Sequence, residues 1–426
     1  MAQRSSLLLR TIPGACRRAI VGAVHRGPRR DLAGGWVVSA RILYHHRTRA
    51  FDGQAVHILE MLGALLRAGA DVREVALVKH AAPGALGNRS TSLLRKLSLP
   101  RMAVEVLERL YSRTGRKLLL GAARQLQPDL IYERHALHCR AGMLAARGLG
   151  LPFFLEVNSP MVDEMQQLGL LRFPALARRT EREVFAAADR VFVVTQVLAE
   201  MVEGLGAHAE RIVVMPNGAD LAAFDAVGGV DPRRQILAPF GWPEDAFVLG
   251  FVGFPRPWHR LDLALAAVAA QPEARRPCLL VIGDGPAVDD LRMQAERLGL
   301  QQRFAVTGAV ARKDIPHWVA SLNAAIIPAM NAYASPLKLY DSLAAGVPTL
   351  APDQPNLRET VTDGEHALLF TPDSVEAVSG RLGDLLADAP EAARIGAAGR
   401  AHLNDLDLTW DANARRVLRE LDEVRR

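Results

Sequence analysis

From Arg41 onward the chain alternates short aliphatic runs with longer stretches whose apolar residues recur at helical spacing. Arg41-Ile-Leu-Tyr44 reads as a buried strand. Val56 to Ala68 reads as a helix with Ile58, Leu62, Leu65 and Leu66 on one face, stopped at Gly69, and Val72 to Val78 as a second strand. The same rhythm continues through strands at Asp129 to Tyr132, Phe153 to Val157, Arg190 to Val194 and Ile212 to Met215. It pauses over residues 225 to 246, where Gly228, Gly229, Pro232, Pro239 and Pro243 give the composition of a linker. It restarts with strands at Val248 to Val252, Cys278 to Ile282, Phe304 to Val306, Ala324 to Ile327 and Thr349 to Leu350. Apolar strands alternating with helices predict parallel sheets wrapped on both faces, so the expected fold is α/β with two doubly wound, Rossmann-like domains in tandem. Open parallel sheets bind ligands at the carboxyl ends of their strands, which predicts a ligand site where the two domains meet.

Composition narrows this picture. Half of the 426 residues are hydrophobic, enough for a large core, and no apolar run approaches the roughly 20 residues that cross a bilayer. The net charge is +6, yet only Lys79, Lys96, Lys117, Lys313 and Lys338 are lysines among 52 basic residues. Such an arginine- and alanine-rich chain has the composition of a GC-rich, bacterial genome. Three widely spaced cysteines, Cys16, Cys139 and Cys278, indicate neither a disulfide framework nor a zinc knuckle, so a reducing, cytoplasmic setting is expected. Residues 1–38 are studded with arginine and broken by Pro13 and Pro28; their apolar stretch is too short for a signal peptide, and the expectation is a disordered or mis-started tail. Mild charge with few aromatics argues against a nucleic-acid partner.

Candidate chemistry gathers in the second half. Glycine-bearing turns follow three strands: Gly253-Phe-Pro-Arg-Pro-Trp-His259, Gly283-Asp-Gly-Pro286, and Gly308. Glycine at a strand end lets a ligand approach the backbone, and a helix start offers unpaired N–H groups to phosphate. In Ser335-Pro-Leu-Lys338, Ser335 reads as a helix cap and Pro336 as the first helical residue. Lys338 and Asp341 then stand at i and i+3 on one face, suited either to a phosphate and a ribose or to a plain surface ion pair.

Taken together, Pro216-Asn-Gly-Ala-Asp220, Val252-Gly253, Val281-Ile-Gly-Asp-Gly-Pro286, Val306-Thr-Gly308, Ser335-Pro-Leu-Lys338, Ala344-Ala-Gly-Val-Pro348 and Asn356-Leu-Arg-Glu359 with Asp363-Gly364 resemble the retaining, GT-B fold glycosyltransferases of family 4. The resemblance covers roughly residues 41 to 420. It implies an N-terminal acceptor-side domain (39–224), a linker (225–246), a C-terminal nucleotide-sugar-binding domain (247–405) and a last helix (406–426) returning to the first domain.

By that resemblance Lys338, with Arg256 or Arg260 and the loop of Gly253, Phe254 and His259, would hold the diphosphate of a nucleotide sugar. Ser335, Pro336 and Leu337 would start the donor helix, Asp341 would bond the ribose, and the base would lie near Gly283, Gly285 and Val310. Gly53, in the loop after the first strand, would approach the donor from the other domain. His135 resembles the position that contacts the transferred sugar, with Arg134, Glu156 and Asn158 as acceptor-side candidates. Two departures stand out: Tyr333 replaces the first glutamate of the family's Glu-x7-Glu motif, and Asp341 replaces the second.

The implied activity is hexosyl transfer to a glycan or lipid-linked acceptor in polysaccharide biosynthesis, with no cofactor. Lysine and arginine take the place of a metal, because no Asp-x-Asp stands at a strand end. A nucleotide-sugar epimerase and a non-catalytic sugar-nucleotide-binding protein are the alternatives on the same fold. A basic, leucine-rich insertion over residues 92–126 suits either peripheral contact with an anionic membrane or ordinary packing on the core.

Overall fold

The computed structural model describes residues 29–30, 36–37, 40–48, 53–77, 100–227 and 233–426. Of the tail, Arg29–Arg30 pairs antiparallel with Trp36–Val37, and the remainder lies outside the described residues, as do Asp52 and residues 92–99 of the basic insertion.

Two six-stranded sheets follow. The first comprises β1 (Arg41–His46), β2 (Asp71–Ala76), β3 (Leu130–Arg134), β4 (Phe153–Val157), β5 (Arg190–Val193) and β6 (Ile212–Val214), in the order β2-β1-β3-β4-β5-β6. The second comprises β7 (Val248–Val252), β8 (Cys278–Ile282), β9 (Phe304–Val306), β10 (Ala324–Ile326), β11 (Thr349–Pro352) and β12 (Leu368–Phe370), in the order β9-β8-β7-β10-β11-β12. Every pairing in both sheets is parallel. Strands such as Cys278-Leu-Leu-Val-Ile282 are buried along their whole length, because helices cover both faces of a parallel sheet. The strand order turns back at β1 in one sheet and at β7 in the other, and the loops leaving those strands flank the place where ligands bind such sheets.

The last helix, Trp410–Arg425, returns to the first domain. It buries Trp410, Ala414, Val417 and Leu421 among Tyr44, Met61 and Phe154. Arg190 pairs with Glu420, and Arg425 with Asp129, along its flank.

Three sequence expectations change. The first long helix starts at Gly53, three residues early, and runs to Arg67. The segment read as a linker holds helical turns at Arg233–Leu237 and Ala238–Phe240, with Leu237 and Trp242 buried in the second domain's core. Its two large apolar side chains outweigh its prolines. The described part of the insertion is one 26-residue helix, Arg101–Leu126. Its inner face buries Tyr111, Gly115 and Leu119, and its outer face exposes Met102, Val106, Leu107 and Leu110 beside Arg101 and Arg113. Among the described residues no helix is long and apolar enough to cross a membrane.

Candidate functional site

At the carboxyl edge of the second sheet the three glycine turns lie against one another. Gly253 leaves β7 at φ 134° and donates its N–H to Ile282 O at 3.0 Å. Gly283 leaves β8 at φ 144°, and a Cβ there would stand 1.9 Å from Gly253 O. Its N–H is held by Thr307 Oγ1 at 3.0 Å, while a Cβ at Gly285 would meet Pro255 O at 2.5 Å. Only glycine permits such contact between backbones, and at Gly253 and Gly283 the left-handed φ also favours it.

Lys338 enters this edge from the helix Leu337–Ala344. Its ammonium lies 4.4 Å from the centre of the Phe251 ring and next to Gly253, and burial lowers its pKa to about 8. It forms no ion pair with an acid among the described residues. An ammonium without a counter-anion in such a place is costly, and an anionic ligand would relieve the cost. Burial, followed by the charges of Lys338 and Arg256, brings His259 down to about 3, so its ring is neutral. Its Nδ1 accepts the Arg256 N–H at 3.1 Å, which fixes the turn Pro257–His259. The Arg256 guanidinium lies over the rings of Phe254 and Trp258 at 4.8 and 4.9 Å, and both aromatics are about half exposed. Arg260 is committed elsewhere, to Asp262 and Asp373.

The helix start differs from the expected cap. Pro336 occupies the cap position with no side-chain cap, and the buried Ser335 hydroxyl instead accepts the Asn217 N–H at 3.2 Å and lies 2.7 Å from Tyr340 OH. A proline at the cap cannot offer an oxygen, and the serine before it is drawn to the first domain. Lys338 and Asp341 also part company. Asp341 is buried and receives a bidentate bond from Arg312 at 2.7 and 2.9 Å, while Arg312 reaches Glu60 of the first domain at 3.1 Å. The surface ion pair is therefore excluded, and the Asp341 carboxylate is neutralised by Arg312. Val310 packs on the second core in the loop leading to Arg312.

On the first-domain side, a Cβ at Gly53 would stand 3.6 Å from Leu337 Cδ1. Glu156, at the end of β4, is buried and receives Arg134, Asn158 (2.6 Å), Tyr44 OH (3.2 Å) and Tyr132 OH (3.1 Å). Against the cost of burial, the neighbouring His57 and Arg134 hold its pKa far below the usual carboxylate range. The ring of His135 lies apart from this cluster. It is buried edge-on against Phe185, with Nε2 3.6 Å from Glu181 and neither nitrogen hydrogen-bonded.

Several contacts between the two edges escaped sequence reasoning. Tyr333 OH bonds Glu164 of the first domain, and Tyr333 O accepts from Thr195 Oγ1 at 2.8 Å. Glu359 accepts the N–H groups of Gln196 and Val197 at 2.7 and 3.1 Å, at the start of the helix Gln196–Gly204. Position after a strand was the available signal: Glu164, Thr195 and Asn217 follow β4, β5 and β6, while Arg312, Tyr333 and Glu359 follow β9, β10 and β11. His45, Glu133 and Cys139 form the metal-ligand-like group among the described residues. His45 Nδ1 bonds Glu133 at 2.5 Å, Gly142 N–H bonds the same oxygen at 2.7 Å, and burial pushes the Cys139 thiol upward, away from a thiolate. That group is closed by hydrogen bonds.

Two parallel α/β sheets meeting at their carboxyl edges, with the last helix returned to the first, constitute the GT-B arrangement. A family model described as Glycosyl transferases group 1 matches residues 232–402, and one described as Glycosyltransferase Family 4 matches residues 51–223. The chain belongs to the group 1, family 4-like glycosyltransferases.

D-inositol 3-phosphate glycosyltransferase of Streptomyces scabiei is 28% identical over 300 residues, covering 67% of this chain and 66% of that protein. The chain thus spans just under two thirds of that relative's length. The protein of the same name from Xylanimonas cellulosilytica is 27% identical over 390 residues, covering 86% of this chain and 90% of its own. Among solved structures, Anabaena Alr3699/HepE in complex with UDP superimposes with a TM-score of 0.67 at 16% identity, covering 90% of this chain and all of that one. Sucrose-phosphate synthase from Thermosynechococcus elongatus does so with a TM-score of 0.70 at 18% identity, covering 90% and 99%. Both share the fold.

Proposed function

We propose that the protein is a retaining glycosyltransferase that moves a hexose from a nucleotide diphosphate sugar to a glycan or lipid-linked acceptor. The observation that carries this reading is the Lys338 ammonium, buried without an acidic partner among the described residues, beside Gly253 and the close-packed glycine turns. As the bond between sugar and diphosphate breaks, negative charge builds on the leaving group. Cations already aimed at that place stabilise the transition state without reorganising. Lys338 supplies one such charge and Arg256 a second, so transfer proceeds in the presence of a chelator. The diphosphate lies over Gly253 and Gly283, the base beyond Gly285 toward Val310, and the acceptor approaches from Gly53, Arg134 and Asn158. The Anabaena structure's UDP supports a uridine donor, and the name shared by the curated relatives supports testing an inositol phosphate as acceptor.

The outer face of Arg101–Leu126, with exposed Met102, Val106, Leu107 and Leu110 beside arginines, supports docking on the anionic inner face of the cell membrane, where a lipid-linked acceptor and surface polysaccharide synthesis belong.

The test is incubation with UDP-, GDP- and ADP-linked hexoses, in EDTA, with inositol 3-phosphate or a lipid-linked saccharide, following diphosphate release and acceptor mass. Acceptor-dependent release supports transfer. An isomerised sugar without diphosphate release would identify the epimerase, and binding without turnover the non-catalytic protein.

A further inference from the structure

His57, on the helix Gly53–Arg67, is buried and sits where the first domain's polar cluster meets the second domain. Its Nδ1 lies 2.8 Å from Asn217 Oδ1. The Asn217 amide cannot be turned over, because its Nδ2 donates to Ser335 O at 2.6 Å and a flipped amide would set two oxygens against each other. Oδ1 therefore faces His57, and Nδ1 must carry a proton.

The other ring nitrogen meets the opposite demand. Nε2 lies 3.0 Å from Glu156 Oε1 in an ion-pair contact that is not an aligned hydrogen bond. Glu156 is already the acceptor for Arg134, Asn158, Tyr44 and Tyr132, all of them donors, so it stands as a carboxylate. A lone pair on Nε2 would confront that anion. The groups around the ring agree: Glu156 comes from β4, Tyr132 and Arg134 from β3 and Tyr44 from β1. The last helix contributes only the Trp410 ring, 5.1 Å away edge-on, and its Asn413, which donates to Pro216 O at 2.7 Å. Apart from Arg134, which is itself spent on Glu156, none of these groups brings positive charge.

We infer that His57 is held doubly protonated, and that in this form it is a positioning residue joining the acceptor-side carboxylate Glu156 through Asn217 to Ser335 and the start of the donor helix. The chain of contacts runs Glu156, His57, Asn217, Ser335, Tyr340, with Lys338 in the first turn of the same helix. Loss of one proton breaks it at its middle, whichever nitrogen keeps the other. The charge assignment stands on geometry alone, whereas the functional half rests on the donor site proposed above.

The two halves are tested separately. In the full chain labelled with ¹⁵N-histidine, the signal absent from His57→Gln identifies His57. Both of its nitrogens are expected at protonated-type shifts at pH 8, where exposed histidines are neutral. A lone-pair-type shift on either nitrogen overturns the assignment without reference to activity.

Calorimetric titration with UDP reads the second half. His57→Gln and Asn217→Ala are each expected to weaken UDP binding about tenfold, corresponding to one charge-assisted hydrogen bond, and the double variant no further than either alone. Additive losses, or no loss, overturn the positioning role. Wild-type protein that shows the doubly protonated signal but binds neither UDP nor UDP-glucose would sink the proposed donor site and leave the charge assignment intact.

Discussion

The carboxyl edges of the two sheets meet each other yet are built on opposite principles. In the first, Glu156 is saturated by Arg134, Asn158 and two tyrosines, and His45, Tyr111 and Glu133 close a second network. In the second, Lys338 carries a charge that no acid among the described residues answers, above backbones so close that side chains are excluded. Satisfied polar groups make a rigid surface, whereas an unanswered charge invites a ligand. The saturated edge is read as the template, and the open edge as the place where donor chemistry happens.

The sharpest break of this contrast is Lys338→Ala. Transfer is expected to fall about 10²- to 10³-fold, the effect of losing one donor to a developing anion, with little loss of thermal stability. Transfer within a few-fold of wild type would move the donor site elsewhere. Glu156→Ala should behave in the reverse way and destabilise the fold by roughly 3–5 kcal/mol in urea, because Arg134 is left as an unpaired buried charge. The depressed carboxylate of Glu156 fixes the sign of its pH dependence. Its stabilisation is complete above the unfolded carboxylate value, around 4.5, and drains away as pH falls toward the lower folded value. The stability gap to Glu156→Gln should close in the same direction.

A smaller effect separates charge from shape at the open edge. Lys338 titrates at about 8, so kcat/KM for the donor should decline as pH rises through that value. Lys338→Arg should abolish this limb, and a limb that persists would belong to another group. Smallest of all, Tyr333→Phe removes one bond across the edges and should cost no more than about 1 kcal/mol of stability, with transfer changed a few-fold. Loss of transfer comparable with Lys338→Ala would make the phenol part of the chemistry.

Most of the fold was legible because parallel strands are buried on both faces and read as short apolar runs. β12 was missed: Leu368-Leu-Phe370 is only three residues long and follows a turn at Asp363-Gly364 that masks it. The glycine turns and Lys338 of the candidate site stand out in the sequence because their residue types are unusual where they stand. The Arg312 bridge between Asp341 and Glu60 was not, since its partners lie 29 and 252 residues away. His135 shows the same limit from the other side. Its place after β3 was read correctly, but the direction of its ring, toward Phe185 and Glu181, depends on a helix some forty residues on.

The returning C-terminal helix has a consequence for how the molecule is made. Trp410, Ala414, Val417 and Leu421 complete a core whose other members, Ile42 to Met215, are synthesised first. Until the helix Trp410–Arg425 has been made, the apolar residues of the first domain that it covers lack that partner. Translation speed through the second half sets how long those residues stay without it, and chaperone demand should fall on the first domain after its own sequence is complete. Cutting the gene between the two sheets would separate those residues from the helix that covers them.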